Sequence, residues 1–417
     1  MFSRPRGTRD VLVEEMEARR RAEATLRETF ERFGYREVQT PTFEHLELIT
    51  AKSGEEIKKH LYSFEDKSER KLALRPELSA PTIRLYVNEL RTRPKPRKLY
   101  YFENCFRYER PQKGRYREFW QAGVELIGSS RPEAEAEVIA LAVACLENLG
   151  LSNFKLSIGH LGIIRAVLAG YGIAEDLQNH IIDLLDKKDI KGIDRLSLPE
   201  EPKKNLLEIV RLKGERSEAF KKAEEMLTGR AQEELERFGH LLYFFEGFGV
   251  TAYEVDLGVV RGLDYYNGTV FEIYAEGLGA QDQICGGGTY SLVKLFGGDD
   301  VPSCGFAFGF DRLMLALEGQ KGTSKGADIP KVFVVPTSKK VLNRAIEITT
   351  VLRKDISCDL ELMGRKLDKS LSYADAEGIP YVLIVSDEVK SDNVILKDMH
   401  TGKQRIVKVE EVPDEVE

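Results

Sequence analysis

Between Phe106 and Phe119 the chain sets Arg107, Arg110, Lys113, Arg115 and Arg117 on what reads as a strand, a polar loop and a second strand. An antiparallel strand pair needs no such density of cations. Guanidinium groups fixed on a sheet offer planar forks of donors, the geometry that polyphosphate oxygens accept. A charged surface hairpin is the other reading of the same residues. Arg312 follows in Phe308-Gly309-Phe310-Asp311-Arg312-Leu313, where a glycine-spaced strand gives way to a helix. Taken alone it is equally a helix-surface arginine. Arg261 sits in Val260-Arg261-Gly262-Leu263-Asp264-Tyr265-Tyr266, either a tight turn bearing hydrogen-bonding aromatics or a β-turn with core tyrosines. Gly286-Gly287-Gly288 lets backbone approach a ligand closely. No Gly-Lys-Ser/Thr follows it, so it is no Walker loop.

Other chemistries find less support. Cys105, Cys145, Cys285, Cys304 and Cys358 are scattered, odd in number and without a Cys-x-x-Cys pair. That argues for a reducing compartment and against a disulfide framework or a zinc knuckle. The six histidines lack metal-ligand spacing, so no protein-held metal is expected. A net charge of −7 excludes a uniformly basic nucleic-acid coat. An RNA partner would need local patches, for which 91–98 and Arg4, Arg6 and Arg9 are candidates, each equally a solvated loop. No segment is long and apolar enough to span a membrane, and the start of the chain has no apolar signal region. The cytoplasm is the expected location.

The elements that must position these residues can be read from periodicity. The 417 residues, 42% of them hydrophobic, suffice for two or three domains. A helix is predicted over Leu12 to Phe33, then a strand over Arg36 to Thr40 that meets Pro41. Strands at 62–64 and 71–74 flank a turn. Leu99 to Tyr108 and Tyr116 to Ile127 form a long hairpin with a charged tip. After a helix over 133–149, polar Lys/Glu-rich helices with little strand propensity fill about 173–238, a helical insertion. Strands return at 251–257, 269–275 and around Ile284, and 305–317 begins with small and aromatic residues before turning helical. Residues 321–329 read as a flexible linker. Beyond it, strands at 332–335, 359–362 and 381–385 alternate with helices at 342–353 and 367–377, a small α/β domain with a mainly parallel sheet. The acidic tail at 410–417 is expected to be disordered.

Taken together, Leu74-Arg75-Pro76-Glu77, the run from Phe106 to Arg117, Arg261-Gly262-Leu263-Asp264-Tyr265-Tyr266 and Gly305 to Leu313 resemble the histidyl-tRNA synthetases. Arg6 to Asp10, Gly364 to Leu367 and Leu396 to Gly402 extend the resemblance over nearly the whole chain outside the insertion. The Arg-Gly-Leu-Asp-Tyr-Tyr signature separates the histidine system from other class II synthetases. One departure follows the glycine run: the family usually reads Gly-Gly-Arg-Tyr-Asp, whereas Thr289 and Ser291 flank Tyr290 here. Either a local surface ion pair is replaced by a neutral pair, the favoured explanation because such a pair contributes little, or substrate handling has drifted.

The resemblance implies an α+β catalytic domain with a mainly antiparallel sheet over 1–320, including the insertion, and an anticodon-binding domain over 330–417. It implies a homodimer, with the first helix and the 36–43 strand at the interface. The implied reaction is activation of L-histidine by ATP with Mg2+, then transfer to the 3′ end of tRNA(His). Arg107 would hold the α-phosphate and the attacking carboxylate, Arg261 would reach the α-phosphate as a fixed cation, and these two would be catalytic and would also contact histidine. Glu109 and Arg115 would contact ATP from the hairpin, and Arg312 its γ-phosphate. Glu77, Leu78, Ser79 and Gln121 would line the pocket for the ammonium and carboxylate of histidine, with Glu125, Tyr265, Tyr266 and Tyr290 closing around the imidazole. Such hydrogen-bonded recognition rejects ligands that cannot complete it, so no editing domain is required. The rival reading is a non-catalytic, histidine-binding regulatory subunit of ATP phosphoribosyltransferase. Such a protein would keep the fold while losing the tRNA-binding tail and several of these arginines.

Overall fold

Ala22, Leu26 and Phe30 recur at four-residue spacing and are buried on one face of a helix, Val13–Arg32. Glu14 and Glu15 lie in its first turn, where the helix dipole favours negative charge. The helix stops where Gly34 takes a φ of +83°, a left-handed backbone that costs glycine little. The computed structural model describes all residues but 1, 52–57, 111–113, 262–264, 277, 279–281, 322–328, 390–391 and 417. The tip of the arginine hairpin, the centre of the 260–266 signature and most of the expected linker thus lie outside the described residues. Two units are distinguished, residues 1–324 and 325–417.

In the first unit the described strands are β1 (Arg36–Glu37), β2 (Phe43–His45), β3 (Ser63–Glu65), β4 (Lys71–Leu74), β5 (Arg97–Phe106), β6 (Glu118–Ile127), β7 (Phe154–His160), β8 (Lys213–Gly214), β9 (Glu254–Asp256), β10 (Tyr266–Ala275), β11 (Gln283–Tyr290) and β12 (Ser303–Gly309). Nine of them form one sheet in the order β1-β5-β6-β12-β11-β10-β7-β9-β8, while β2, β4 and β3 form a small separate one. Pairing in the large sheet is antiparallel apart from β1 with β5 and β7 with β9.

Strand periodicity divides this sheet into a core face and a site face. Ala122, Val124 and Leu126 of β6 and Cys304, Phe306 and Phe308 of β12 point into the main core, shared with the helices Val13–Arg32, Pro132–Asn148 and Arg230–Gly247. Gln121, Gly123 and Glu125 therefore project from the opposite face. The expected strand over Arg36 to Thr40 pairs at Arg36–Glu37, and its last backbone bond to β5 is Val38 N to Tyr100 O at 2.9 Å. Its continuation is taken by side chains: Thr40 N donates to Glu103 Oε1 at 3.2 Å, and Arg75 Nη1 donates to Thr40 O at 2.8 Å. Arg75, only 3% exposed, also pairs with Glu103 and donates to Asn104 O at 2.8 Å. Breaking one side of such a buried pair costs about 3–5 kcal/mol, so this node pins the start of the site.

The insertion is helical as read, in Glu175–Asp186, Ile190–Asp194, Glu200–Ile209 and Arg216–Met226. It also lends the two-residue β8 to the edge of the large sheet, beside β9. In the second unit β13 (Val332–Pro336) lies between and parallel to β14 (Cys358–Leu360) and β15 (Tyr381–Val385). Two antiparallel strands, β16 (Asn393–Asp398) and β17 (Gln404–Lys408), extend this parallel core. The acidic tail is ordered, contrary to expectation. Val409–Glu411 and Val412–Glu415 are helical, and Val412 and Val416 are 0% and 3% exposed in the unit's core. Two valines four residues apart anchor a segment whose average composition is acidic.

Candidate active site

Arg107 follows β5 directly, and Arg312 lies in the first turn of the helix Phe310–Lys321, which leaves β12. The two strands flank β6 and end on the same side of the sheet, which brings both cations to one cavity of about 1040 Å³, whose lining also includes Glu109, Arg115, Gln121 and Arg261. Arg107 Nε donates to Pro76 O at 2.8 Å, and its guanidinium lies 5.3 Å from the Phe119 ring centroid. Arg115 forms an ion pair with Glu109. Arg312 Nη1 donates to Gln283 O at 2.9 Å. Burial, then the like charge of Arg115, presses the Arg312 pKa downward, and Glu109 offsets only part of this. Concentrated positive charge of this kind is relieved by a polyanion.

Arg261 sits on the floor of the same cavity. Its Nη1 lies 3.4 Å from Glu272 Oε1, and its guanidinium is 5.6 Å from the Tyr266 ring centroid. Glu272 of β10 faces Gly286 of β11 across the ladder. A β-carbon at Gly286 would overlap Arg261 Nη1, so the first glycine of the run opens space for an arginine. Gln283 Nε2 donates to Glu272 Oε1 at 2.8 Å, and Tyr274 OH donates to Oε2. Burial works against the Arg261 charge, but Tyr266 and Glu272 outweigh it and raise the pKa. The guanidinium remains a permanent cation.

The residues expected around histidine form a second cluster, outside the lining of that cavity except for Gln121. Glu125, 1% exposed, accepts from Tyr101 OH at 3.0 Å and from Tyr290 OH. The nearby Ser79 side chain also favours its charged form. Burial pushes the Glu125 pKa up to about 8 against these donors, and the nearby Glu77 pushes the same way. Tyr265 packs on Tyr266 and Tyr290, with centroids 4.9 and 5.7 Å apart. Both oxygens of Glu77 accept backbone N–H groups, from Ser79 at 2.6 Å and Ala80 at 3.0 Å. Burial raises its pKa despite these bonds. Leu78 is buried against Tyr101 and Cys105. Gln121 Oε1 accepts from Cys105 Sγ at 3.3 Å. Arg261, over the ring of Tyr266, stands where the two clusters meet.

The structure corrects one sequence reading. Thr289 is only 9% exposed, not on the surface. It lies near Glu135, whose carboxylate accepts from Thr269 Oγ1 at 2.6 Å and pairs with Arg237. Only the second position, Ser291, fits the exposed neutral pair, accepting from Asn267 Nδ2 at 2.8 Å. Sequence reasoning also missed Tyr101, Glu272, Gln283 and Asp311. Asp311 is 5% exposed and binds Arg9 Nη2 at 2.9 Å, Arg19 Nη1 at 2.8 Å and Trp120 N at 2.8 Å. Its place beside Arg312 was the one available signal.

Known proteins are similar to this chain in sequence and fold. Residues 7–313 match the family model for histidyl-tRNA synthetase, and residues 331–417 match an anticodon binding domain. The chain is 47% identical over 420 residues to the histidine–tRNA ligase of Archaeoglobus fulgidus, covering 99% of this chain and 98% of that protein. It is 45% identical over 420 residues to that of Methanocaldococcus jannaschii, covering 99% of each. A crystal structure from Bacillus halodurans, described as an ATP phosphoribosyltransferase regulatory subunit/histidyl-tRNA synthetase, matches with a TM-score of 0.77 at 29% identity, over 93% of this chain and 98% of that one. On motif, fold and full-length similarity alike, the chain belongs to the histidyl-tRNA synthetase family.

Proposed function

We propose that the chain is a histidine–tRNA ligase that activates L-histidine with ATP and passes it to the 3′ end of tRNA(His). The observation that carries this reading is the meeting of two clusters at Arg261: an arginine-lined cavity suited to polyphosphate, and a buried carboxylate ringed by hydroxyls suited to imidazole. In the first step the histidine carboxylate attacks the α-phosphorus, forming histidyl-adenylate and releasing pyrophosphate. Arg107 and Arg261 stabilise charge on the α-phosphate oxygens, Arg312 holds the γ-phosphate, and Glu109 with Arg115 orient ATP. In the second step the terminal ribose hydroxyl of tRNA attacks the acyl carbon, forming the ester as the acyl–phosphate bond breaks and AMP and the hydroxyl proton leave. Neither step needs a side-chain nucleophile, because positioning and fixed charge supply the catalysis. Magnesium would sit mainly on the phosphates and water, where it would neutralise phosphate charge, and Glu109 and Glu272 of the same cavity lining would be the carboxylates available to it.

Histidine would be held by its two ends. Gln121, Glu77, Leu78 and Ser79 take the ammonium and carboxylate, while Tyr265, Tyr266 and Tyr290 enclose an imidazole whose N–H donates to Glu125. Neutral imidazole needs one acceptor and one donor, and this pocket supplies both. In the second unit, Leu362 and Met363 are 77% and 74% exposed beside Arg365 and Lys366. Unstacked anticodon bases favour such apolar surface next to cations. We place the protein in the cytoplasm as a homodimer. The five cysteines, all buried and unpaired, support the reducing compartment. Exposed Leu12, Val13, Phe43 and Phe64 support a covered face in the dimer. Retention of Arg107, Arg261, Arg312 and the 331–417 domain favours the ligase over a non-catalytic regulatory subunit. Histidine-dependent exchange of pyrophosphate into ATP tests the proposal. Exchange with histidine and none with other amino acids is expected, and absence of exchange from folded protein would overturn it.

A further inference from the structure

Tyr101 lies on β5 opposite Gly123 of β6, and its ring crosses that glycine. A β-carbon at position 123 would come within 2.7 Å of both Tyr101 Cε2 and the hydroxyl. Gly305 of β12 likewise lies against Glu125, where a β-carbon would overlap Oε2. Two glycines on neighbouring strands thus clear the space in which the tyrosine and the carboxylate meet. The hydroxyl donates to Oε1 at 3.0 Å, while Tyr290 OH takes Oε2. A carboxylate has about four lone-pair positions. With the two tyrosine hydroxyls in place, about two remain, one on each oxygen, for an incoming N–H and the nearby Ser79 side chain.

We propose that Tyr101 is a positioning residue for histidine recognition: its hydroxyl locks Glu125 Oε1 so that the remaining lone pair faces the imidazole. This rests on the reading of Glu125 as the imidazole acceptor. Burial and the negative Glu125 and Glu77 hold the Tyr101 pKa well above its ordinary value, so the hydroxyl stays a donor at neutral pH. Its donation also favours the ionised form of Glu125, whose pKa burial has pushed up to about 8. The titratable groups facing Glu125 are Glu77 ahead of the helix Ser79–Leu85, Tyr35, Tyr101 on β5, Tyr265 and Tyr266 at the start of β10, Tyr290 on β11 and Cys304 on β12. Burial raises the pKa of the tyrosines and the thiol, which keeps them neutral across the working range. Glu77 and the substrate amine titrate alike in parent and variant.

The test is Tyr101→Phe in the full-length chain, with KM for histidine and for ATP measured by pyrophosphate exchange from pH 6 to 9.5. Near pH 7 the histidine KM should rise about tenfold, the worth of one lost hydrogen bond, with the ATP KM within about twofold. The ratio of variant to parent histidine KM should be greatest at low pH and fall as pH rises through about 8, because loss of the donor moves the Glu125 titration upward. Tyr100→Phe is the control, since its hydroxyl bonds Glu31 at 2.9 Å and Glu37 at 3.3 Å, away from Glu125. It should leave the ratio flat and near one. An unchanged histidine KM, a pH-independent ratio, or an equal rise in both KM values would overturn the proposal. Glu125→Gln separates the two ideas. If it keeps the parent histidine KM, the reading of Glu125 fails and takes Tyr101 with it. If it loses histidine while Tyr101→Phe does not, only the role of Tyr101 fails.

Discussion

Replacing Arg261 by histidine or lysine should slow adenylate formation about a hundredfold while changing histidine and ATP binding far less. Removal of one preorganised donor from a reacting oxyanion costs about 10²–10³ in turnover. Of two features that bear on the size of the loss, the first makes Arg261 available to the transition state and the second sets the loss at the lower end of that range. Its contact with Glu272, at 3.4 Å, is near the outer limit of a hydrogen bond, so the resting state uses little of its donor capacity. Arg107 lines the same cavity and retains part of the stabilisation. Lysine should rescue little, because a point charge cannot reproduce the fork. Gly286→Ala is a sharper probe. It leaves the arginine in the chain but puts a β-carbon where Nη1 lies. A displacement of about 1 Å in a positioned group can itself cost about a hundredfold. The assay is single-turnover formation of histidyl-adenylate at saturating substrates, followed by transfer from preformed adenylate to tRNA, which should survive better. If Arg261→Lys and Arg261→His form adenylate at near the parent rate, Arg261 is structural and the reasoning is wrong.

Glu125→Gln should weaken histidine activation by about 1.5–3 kcal/mol, the range for a hydrogen bond to a charged group, while ATP binding holds; unchanged histidine kinetics would remove Glu125 from the site. The same substitution has a stability consequence of fixed sign. The folded pKa of Glu125 is raised to about 8, above that of an unfolded carboxyl, so the parent loses stability as pH climbs from about 4.5 to 8. Glu125→Gln should therefore melt higher than the parent, by a margin that widens over that window. A margin independent of pH would show that Glu125 does not titrate there. Cutting the chain near Gly322 should leave adenylate formation mostly intact and damage tRNA charging, since residues 1–324 form their own unit; equal loss of both in a folded fragment would contradict it. Sedimentation at micromolar concentration should find a dimer, and a monomer would count against the interface assigned to Phe43 and Phe64.

The phosphate side of the site was legible in the sequence because charge is conspicuous wherever it falls. Arg107, Glu109, Arg115, Arg261 and Arg312 stand in unusual local contexts, and the fold brings them to one cavity. The supporting residues were hidden for a different reason. Tyr101 reads as one more aromatic of a buried strand until the register sets it against Gly123. Glu272 and Gln283 acquire meaning only because β10 and β11 pair in a register that leaves Gly286 beneath Arg261. Register depends on contacts among distant segments, and no local pattern in a single strand reports it. The buried state of Thr289 escaped for the same reason. The order of the acidic tail escaped because two valines are too few to shift a compositional average.

Asp311 gives the site a history as well as a shape. Its carboxylate joins Arg9 and Arg19 across 302 and 292 residues of sequence. The main chain of Arg117 also reaches back, donating from N to Gly7 O at 2.8 Å. At a synthesis rate of about 5–20 residues per second, Asp311 leaves the ribosome roughly 15–60 s after Arg9. Throughout that interval the two arginines wait without their carboxylate, and β6 lacks its neighbour β12. The arginine-lined cavity therefore cannot be completed on a chain that stops short of Asp311. A premature stop before β12 yields a fragment in which Arg19 lacks its carboxylate and β6 has an open edge, the kind of species that chaperones and proteases remove.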